Sequence, residues 1–180
     1  MFKKKTNPNI KKEDMKQAEM LFFRYGGNKF GMYQNGDLKK YEGFHVPKKI
    51  EKDWYEVIYK DYVAKIENHS NNLDLTVNIS SLINLGIKEY EIVKLIISIL
   101  NTKLLDTFTI IRICEEMKKI IKSSKSSDTI SLIKNEIIKF HDILLSSTIT
   151  ISNEYLTLSY MKDYDFSDEY IKRRISALLN

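Results

Sequence analysis

Cysteine, proline and glycine are all scarce in this chain. The single cysteine, Cys114, cannot form an internal disulfide, which argues against an oxidising compartment. Residues 6–19 contain no apolar core, so they do not resemble a secretory signal peptide. The longest apolar run, residues 92–100, is far shorter than the ~20 residues that a membrane-spanning helix needs. These absences predict a globular cytoplasmic protein that does not enter a membrane.

Arginine is also scarce, although the chain is basic. Lysine and arginine together number 29 against 24 acidic residues, for a net charge of +5, yet only four of them are arginine. Because arginine reads phosphates and base edges better than lysine does, the charge indicates a solvated lysine surface more than a nucleic-acid interface. Nucleic-acid binding is kept as the alternative function, with these candidate residues: Lys3, Lys4, Lys5, Lys172, Arg173 and Arg174.

Four of the six glycines fall within residues 25–41, YGGNKFGMYQNGDLKKY. Gly27-Asn28 and Asn35-Gly36 are typical of tight turns, and Asn-Gly is the strongest short signal for a β-hairpin. The aromatic segments between them predict three strands, at residues 20–25, 29–34 and 38–44. The N-terminal region is therefore expected to be a three-stranded antiparallel meander.

The register of this predicted meander places two sets of side chains on opposite faces. One face carries Leu21, Phe23, Tyr25, Phe30, Met32 and Tyr41 and is expected to be covered by a helix over 48–67, which Pro47 introduces. The apolar stripe of that helix is predicted to be Ile50, Trp54, Val57, Ile58 and Tyr62. The other face carries Phe22, Tyr33 and Leu38 beside Arg24, a combination that protein-binding surfaces use. These four residues are the candidate partner-binding site, unless the second half of the chain packs there and buries them.

Beyond the polar segment 68–74, glycine and proline nearly vanish and helical periodicity prevails. Helices are predicted near 77–85, 88–102, 105–122, 128–146, 153–162 and 167–179, with Ser127 or Asp128 capping the fourth and Ser167 the last. The sequence thus predicts an α+β protein. Its parts are a flexible basic arm and lead-in at 1–18, a meander with its helix at 19–70, and a helical bundle at 75–180 that is either separate or continuous with 19–70.

Residues 80–95, SSLINLGIKEYEIVKL, resemble a helix-turn-helix in outline. Leu82 occupies a position that usually needs a small side chain, and Glu89 and Glu91 lie where phosphates would approach. The rest of the second helix is too apolar for a DNA groove. The segment is better interpreted as a simple αα-hairpin with Gly86 ending its first helix.

No motif predicts catalysis, a metal or a cofactor. The three histidines, His45, His69 and His141, are scattered, and no spacing suggests metal ligands. Cys114 lies in an apolar helical segment and is expected to be an inert core residue. No glycine-rich phosphate loop precedes a helix. An enzyme would need a site assembled from both halves of the chain, which the sequence does not indicate.

The leading functional prediction is a non-enzymatic cytoplasmic protein that acts by binding another protein or a second copy of itself. A regulator, an inhibitor and an assembly factor fit equally well. The alternative is a nucleic-acid-binding protein. The two are separable, because phosphate contacts weaken steeply with salt and apolar interfaces do not.

Overall fold

A computed structural model of the chain describes residues 11–180, where every regular element is helical. The helices of this range are α1 Lys12–Arg24, α2 Lys29–Gln34, α3 Leu38–Gly43, α4 Lys48–Glu67, α5 Asn72–Asn84, α6 Glu89–Thr102, α7 Thr107–Ser123, α8 Ser127–Ser146, α9 Asn153–Thr157, a 3₁₀ helix at Ser159–Met161, and α10 Asp168–Ala177. The chain divides into two compact units, Met1–Tyr62 (unit 1) and Val63–Asn180 (unit 2). The division falls inside α4, a few residues before the polar segment at which the sequence suggested a boundary.

The predicted three-stranded meander is wrong, because residues 11–180 contain no β-strand. The three predicted strands correspond to the end of α1, to α2 and to α3. The Asn35-Gly36 pair explains the error. A type I′ turn needs positive φ at both central residues, but Asn35 has a φ of −96° and Gly36 alone is positive, at 76°. The described chain is therefore a helical bundle and not an α+β fold.

The glycine turns of unit 1 end helices instead of joining strands. After α2, the Asp37 N–H donates to Met32 O at 2.8 Å, and the Gly36 N–H donates to Tyr33 O at 3.0 Å. This pair of bonds is a Schellman motif, in which a left-handed residue stops the helix and satisfies its last carbonyls. Glycine adopts that conformation without steric cost. The end of α1 has the same bond pattern around Gly26.

Unit 1 packs these short helices against the first part of α4. The helix predicted over 48–67 is confirmed, and Trp54 and Ile58 of its predicted apolar stripe are buried. Val57, assigned to the same stripe, is instead 54% exposed. The buried apolar side chains of unit 1 are Ala18, Leu21, Phe22, Met32, Tyr41, Trp54 and Ile58.

Unit 2 is built around α7, which packs against α5, α6, α8 and α10. The inward face of α7 is mainly apolar and includes Phe108, Ile111 and Met117, each fully buried. Side chains cap the starts of several helices, since Asn71 accepts the N–H of Asp74 and Asp106 that of Thr109. Long, capped helices around one central helix give unit 2 its core.

The helices predicted for the second half of the chain are confirmed in number and approximate position. The first of them begins earlier than predicted, at Asn72, and the segment 153–162 forms a short α-helix followed by a 3₁₀ helix. Ser167 caps α10 as predicted, accepting the Tyr170 N–H at 3.3 Å. Helix α8 is capped by Ser126, so the predicted cap at Ser127 or Asp128 is wrong.

Candidate functional site

Phe22 lies at the centre of an aromatic cluster in unit 1. Its ring centroid is 4.9 Å from that of Tyr55, 5.2 Å from that of Trp54 and 6.0 Å from that of Tyr41. The Phe22 side chain has no exposed surface. Phe22 therefore serves the core, and a partner would reach it only after unit 1 opened.

Asp37 contacts Arg24 and directly precedes Leu38 in the chain. The Tyr25 hydroxyl donates to Asp37 Oδ2 at 2.7 Å, and Arg24 Nη1 lies 3.7 Å from the same oxygen. The hydrogen bond to the Asp37 carboxylate raises the pKa of Tyr25. Leu38 follows Asp37 directly and is half-buried, whereas the Arg24 side chain is 62% exposed. Of these two predicted site residues, Arg24 is the more accessible to a partner.

Tyr33 is the most accessible of the predicted partner-binding residues, at 68% exposed. It has an aromatic neighbour that the sequence interpretation placed on the opposite, covered face. Phe30 lies three residues earlier on α2 and is 65% exposed. Residues three apart in a helix share one face, so the two rings form an exposed pair, called here the α2 aromatic pair. Helical spacing within residues 29–34 is the signal that would have revealed it.

Contacts to Glu51 hold α2 and α3 against α4. The Tyr41 hydroxyl of α3 donates to Glu51 Oε1 at 2.6 Å, and Lys29 Nζ of α2 lies 3.4 Å from that oxygen. Lys29 also lies over the Tyr41 ring, 5.8 Å from its centroid. Burial, together with the bond to Glu51, raises the pKa of Tyr41 well above its ordinary value. The helix that carries the α2 aromatic pair is therefore anchored by one shared carboxylate.

The basic residues predicted for nucleic acid separate into three groups. Lys3, Lys4 and Lys5 lie outside the described residues. The next two, Lys172 and Arg173, are exposed on α10. The third group is Arg174, whose guanidinium is bonded to other residues of unit 2.

The Arg174 guanidinium makes a two-pronged ion pair with Glu115 of α7, with Nε 2.9 Å from Oε1 and Nη2 bonded to Oε2. Its Nη1 donates to the Tyr164 hydroxyl, and the group lies 5.0 Å from the Phe108 ring centroid. Bidentate pairing and ring stacking both suit the planar guanidinium. Arg174 therefore joins α10 to α7, and it is not free to bind a phosphate.

A polar network lies where the first residues of α5, α7 and α9 meet. Asn72 Nδ2 donates at 2.7 Å to both Asp106 Oδ2 and Ser152 Oγ, and the Ser152 hydroxyl donates to Asp106. The fully buried Tyr155 donates its hydroxyl proton to Asn72 O at 3.1 Å and lies 3.2 Å from the Thr109 hydroxyl. Burial raises the pKa of Tyr155. The Ser152 hydroxyl accepts from Asn72 and donates to the Asp106 carboxylate, so the network satisfies polar groups at the starts of these helices.

Cys114 is fully buried in α7, in agreement with the core position predicted for it. Burial, reinforced by nearby Glu115 and Glu136, raises the pKa of its thiol to about 12. The thiolate is the reactive form of cysteine, so this group is inert at neutral pH.

Residues 11–180 lack two further features. No three or more His, Cys, Asp or Glu side chains are grouped so that they could hold a metal ion. No helix in this range has the length and apolar character needed to cross a membrane. His69 Nδ1 lies 2.7 Å from Ile66 O, and His141 Nδ1 lies 3.1 Å from Asp142 Oδ1, so both rings have local partners.

The segment that resembles a helix-turn-helix is an αα-hairpin, as predicted. Helix α5 ends at Asn84, Gly86 has a left-handed φ of 64°, and α6 begins at Glu89. A DNA-reading helix must present its side chains to solvent. Helix α6 instead directs a broad apolar face into unit 2, with these residues buried: Ile92, Val93, Ile96, Ile99 and Leu100.

Comparison with protein-family models, curated proteins and solved structures found no significant match to this chain. The functional proposal therefore rests on the chain's own geometry. Among the side chains that the structure describes, the most accessible aromatic pair is the α2 aromatic pair, Phe30 and Tyr33, on the unit that also carries Arg24.

Proposed function

We propose that this non-enzymatic protein works by binding another protein, or a second copy of itself, through the α2 aromatic pair. The observation that carries the proposal is the exposure of Phe30 and Tyr33, at 65% and 68%, on one face of a six-residue helix. Covering such rings removes apolar area from water, worth roughly 25 cal/mol per Å². Tyrosine also keeps a hydroxyl for a hydrogen bond at an interface edge.

The anchoring of α2 supports this proposal. Binding energy is lost when mobile side chains must be ordered at an interface. Here a Schellman motif ends α2, and Lys29 holds its start to Glu51 at 3.4 Å. The aromatic pair is thus presented on a positioned backbone, and each ring has only two side-chain torsions to fix.

Arg24 is the residue proposed to contact the rim of the interface. Its ion pair with Asp37 is long, at 3.7 Å, and the arginine side chain is 62% exposed, so the pair contributes little stability. The guanidinium can therefore turn to a carboxylate of a partner at small cost. Arginine and tyrosine are both enriched among the residues that dominate binding energy.

The test is an affinity capture from the native cytoplasm with the tagged full chain, washed first at low and then at high salt. A double variant, Phe30→Ser with Tyr33→Ser, removes the α2 aromatic pair. The matched control is Val77→Ser with Tyr90→Ser, because these side chains are also exposed, at 52% and 45%, but belong to unit 2. We expect one partner protein to survive high salt with the wild type and the control, and to be lost with the double variant.

A titration of the purified partner then measures the affinity, and sedimentation of the chain alone reveals self-association. Truncating a dominant interface residue typically costs 2 kcal/mol or more, about a thirtyfold loss of affinity. The proposal is overturned if the double variant retains the partner as the wild type does. It is also overturned if only nucleic acid is retained, is released by high salt, and is weakened by Lys172→Gln with Arg173→Gln.

A further inference from the structure

Unit 2 has a groove of about 720 Å³ bounded by α7, α8 and the segment that follows α10. Its position differs from that of the α2 aromatic pair, which belongs to unit 1. We call it the basic groove. The lining residues are Lys118, Ile121, Lys122, Lys134, Ile137, Ile138, Leu178, Leu179 and Asn180.

The interior of the basic groove is apolar. Ile137 and Leu178 are each only 3% exposed and form its floor. Ile138 and Leu179 line it as well but are 50% and 51% exposed, so their apolar surface faces the open space. Apolar side chains that face a concave, open space gain free energy when an apolar group covers them.

The charged side chains that line the groove are of one sign. Three of its nine lining residues are lysines and none is acidic. Lys118 is engaged, since its Nζ donates to Ala177 O at 2.8 Å. Lys122 and Lys134 are exposed and have no ion-pair or hydrogen-bond partner within residues 11–180. Two ammonium groups that no acidic side chain of the groove neutralises therefore lie beside an apolar floor.

We propose that the basic groove binds a free single-chain amphiphile with an anionic head, either a carboxylate or a phosphate monoester. The hydrocarbon chain covers Ile137, Ile138 and Leu179. The head meets the ammonium groups of Lys122 and Lys134, whose charge complements it. This site is independent of the proposed protein-binding function, because it uses no residue of unit 1.

The size of the groove favours this ligand over an acidic helix from a partner. On α7 the lining runs from Lys118 to Lys122, and on α8 from Lys134 to Ile138. Four residues of helix rise by only about 6 Å, one turn. A helix docked in a groove uses anchors spread over i, i+3, i+4 and i+7, which needs a rigid length of about 10 Å, whereas a flexible alkyl chain can bend to fit a short groove. The volume, in contrast, falls within the roughly 300–1,000 Å³ of small-molecule sites.

Isothermal titration calorimetry of the full chain tests the proposal with dodecyl phosphate and dodecanoate, each kept below its micelle concentration. The variant Lys122→Gln with Lys134→Gln removes both partnerless charges. The control, Lys103→Gln with Lys162→Gln, changes the same charge at exposed positions outside the groove. We expect one ligand to bind per chain in the wild type and the control. The affinity of the groove variant should be lower by about tenfold or more.

A second variant tests the apolar part of the groove. Ile138→Ser with Leu179→Ser changes two half-exposed side chains, so folding is preserved while the hydrocarbon contacts are lost. Both anionic ligands should bind more weakly to it. Dodecyltrimethylammonium, which has the same chain and a cationic head, should bind far more weakly than dodecyl phosphate to the wild type.

Several outcomes would overturn the proposal. Equal binding of the cationic amphiphile, or unchanged binding by Lys122→Gln with Lys134→Gln, would show that the lysines do not select the ligand. Binding of phosphatidylglycerol vesicles with no binding of the free amphiphiles would assign the groove to a membrane surface. Binding of a 14-residue acidic amphipathic peptide in place of the amphiphiles, lost in the lysine variant, would assign it to a partner helix.

Discussion

The two units of this chain stabilise helices by different means. Unit 1 holds three helices of 13, 6 and 6 residues against α4 with an aromatic cluster, and two of them end at left-handed glycines. Unit 2 uses longer helices, among them α7 with 17 residues and α8 with 20, around a mainly aliphatic core. Its helices are more often capped by side chains at their first turns.

The difference shows where the stability of each unit lies. Helices of six residues are too short to be stable alone, because the free-energy cost of nucleating a helix exceeds the stabilisation from so few hydrogen bonds. Helices α2 and α3 therefore depend on tertiary contacts, of which Glu51 and the Phe22 cluster are the most direct. Helices as long as α7 and α8 have local support from their caps and from repeated apolar spacing.

The largest effect is expected from Gly27→Ala in unit 1. Gly27 has a φ of 74°, and an added Cβ would lie 2.5 Å from Tyr55 Cε1 and 3.0 Å from Phe22 Cζ. Left-handed strain and overpacking together should lower the free energy of unfolding by about 3 kcal/mol. Trp54, the only tryptophan, is buried in unit 1, so its fluorescence during urea denaturation measures the change.

Gly43→Ala is the matched control for this change. Gly43 ends α3 with ordinary φ, and an added Cβ would have no heavy atom within 4 Å. We expect stability to be unchanged or raised by up to about 1 kcal/mol, since alanine favours the helix. An equally small effect of both substitutions would show that close ring packing does not stabilise unit 1.

The next largest effect is expected from Asp106→Ala in unit 2. The substitution removes the cap of α7 and leaves Asn72 and Ser152 without their shared acceptor. The loss should be about 2 kcal/mol, from the lost cap and the partners left unsatisfied. Far-UV circular dichroism during urea denaturation, which follows the helices, measures it.

Asp163→Ala provides the comparison for the polar network. Asp163 is exposed and makes no contact with the network, so its removal should change stability by no more than about 0.5 kcal/mol. If Asp106→Ala proved as mild, side-chain capping would not distinguish unit 2 from unit 1, and the contrast between the units would fail.

The smallest effect is expected from Tyr41→Phe, and it should depend on pH. At neutral pH the loss of the 2.6 Å bond to Glu51 should cost about 1 kcal/mol. Because the folded pKa of Tyr41 is raised above 10.0, its proton stabilises the fold fully below pH 10, and this contribution falls as the pH rises further. The loss in free energy of unfolding caused by Tyr41→Phe should therefore be smaller at pH 11 than at pH 9. Urea denaturation at each pH measures it.

Tyr33→Phe is the control for the pH experiment, because the Tyr33 side chain is 68% exposed. It should leave the stability at both pH values within about 0.5 kcal/mol of the wild type. If the stability lost in Tyr41→Phe stayed constant or grew from pH 9 to pH 11, the Tyr41 hydroxyl would not be the group whose titration weakens the fold at high pH.

Much of the helical structure of unit 2 was predictable from the sequence alone. The apolar spacing predicted that the buried face of α8 consists of Ile130, Ile133, Ile137, Phe140 and Leu144. The last four are buried, whereas Ile130 is partly exposed. Ser167 was recognised as a cap because a hydroxyl there accepts the N–H of the first turn. Long helices repeat the same spacing several times, which makes their signal unambiguous.

The error in unit 1 arose because two structures share the same local chemistry. A glycine with positive φ suits both a hairpin turn and a helix end, and aromatic residues are frequent in strands. A six-residue helix contains fewer than two turns, so its periodicity cannot be told from that of a strand. For the same reason Phe30 was placed on a covered face, although its side chain is 65% exposed.

The sequence by itself determined the number and approximate positions of the helices in unit 2, and that residues near 26 and 36 must turn. It did so because caps, glycine φ and repeated apolar spacing act between residues close in the chain. Only the tertiary structure decided that Phe22 is core while Phe30 and Tyr33 are exposed. It also joined Arg174 to Glu115, 59 positions away, and placed Lys122 and Lys134 around one groove. Such contacts depend on how distant helices pack, and no local pattern specifies that packing.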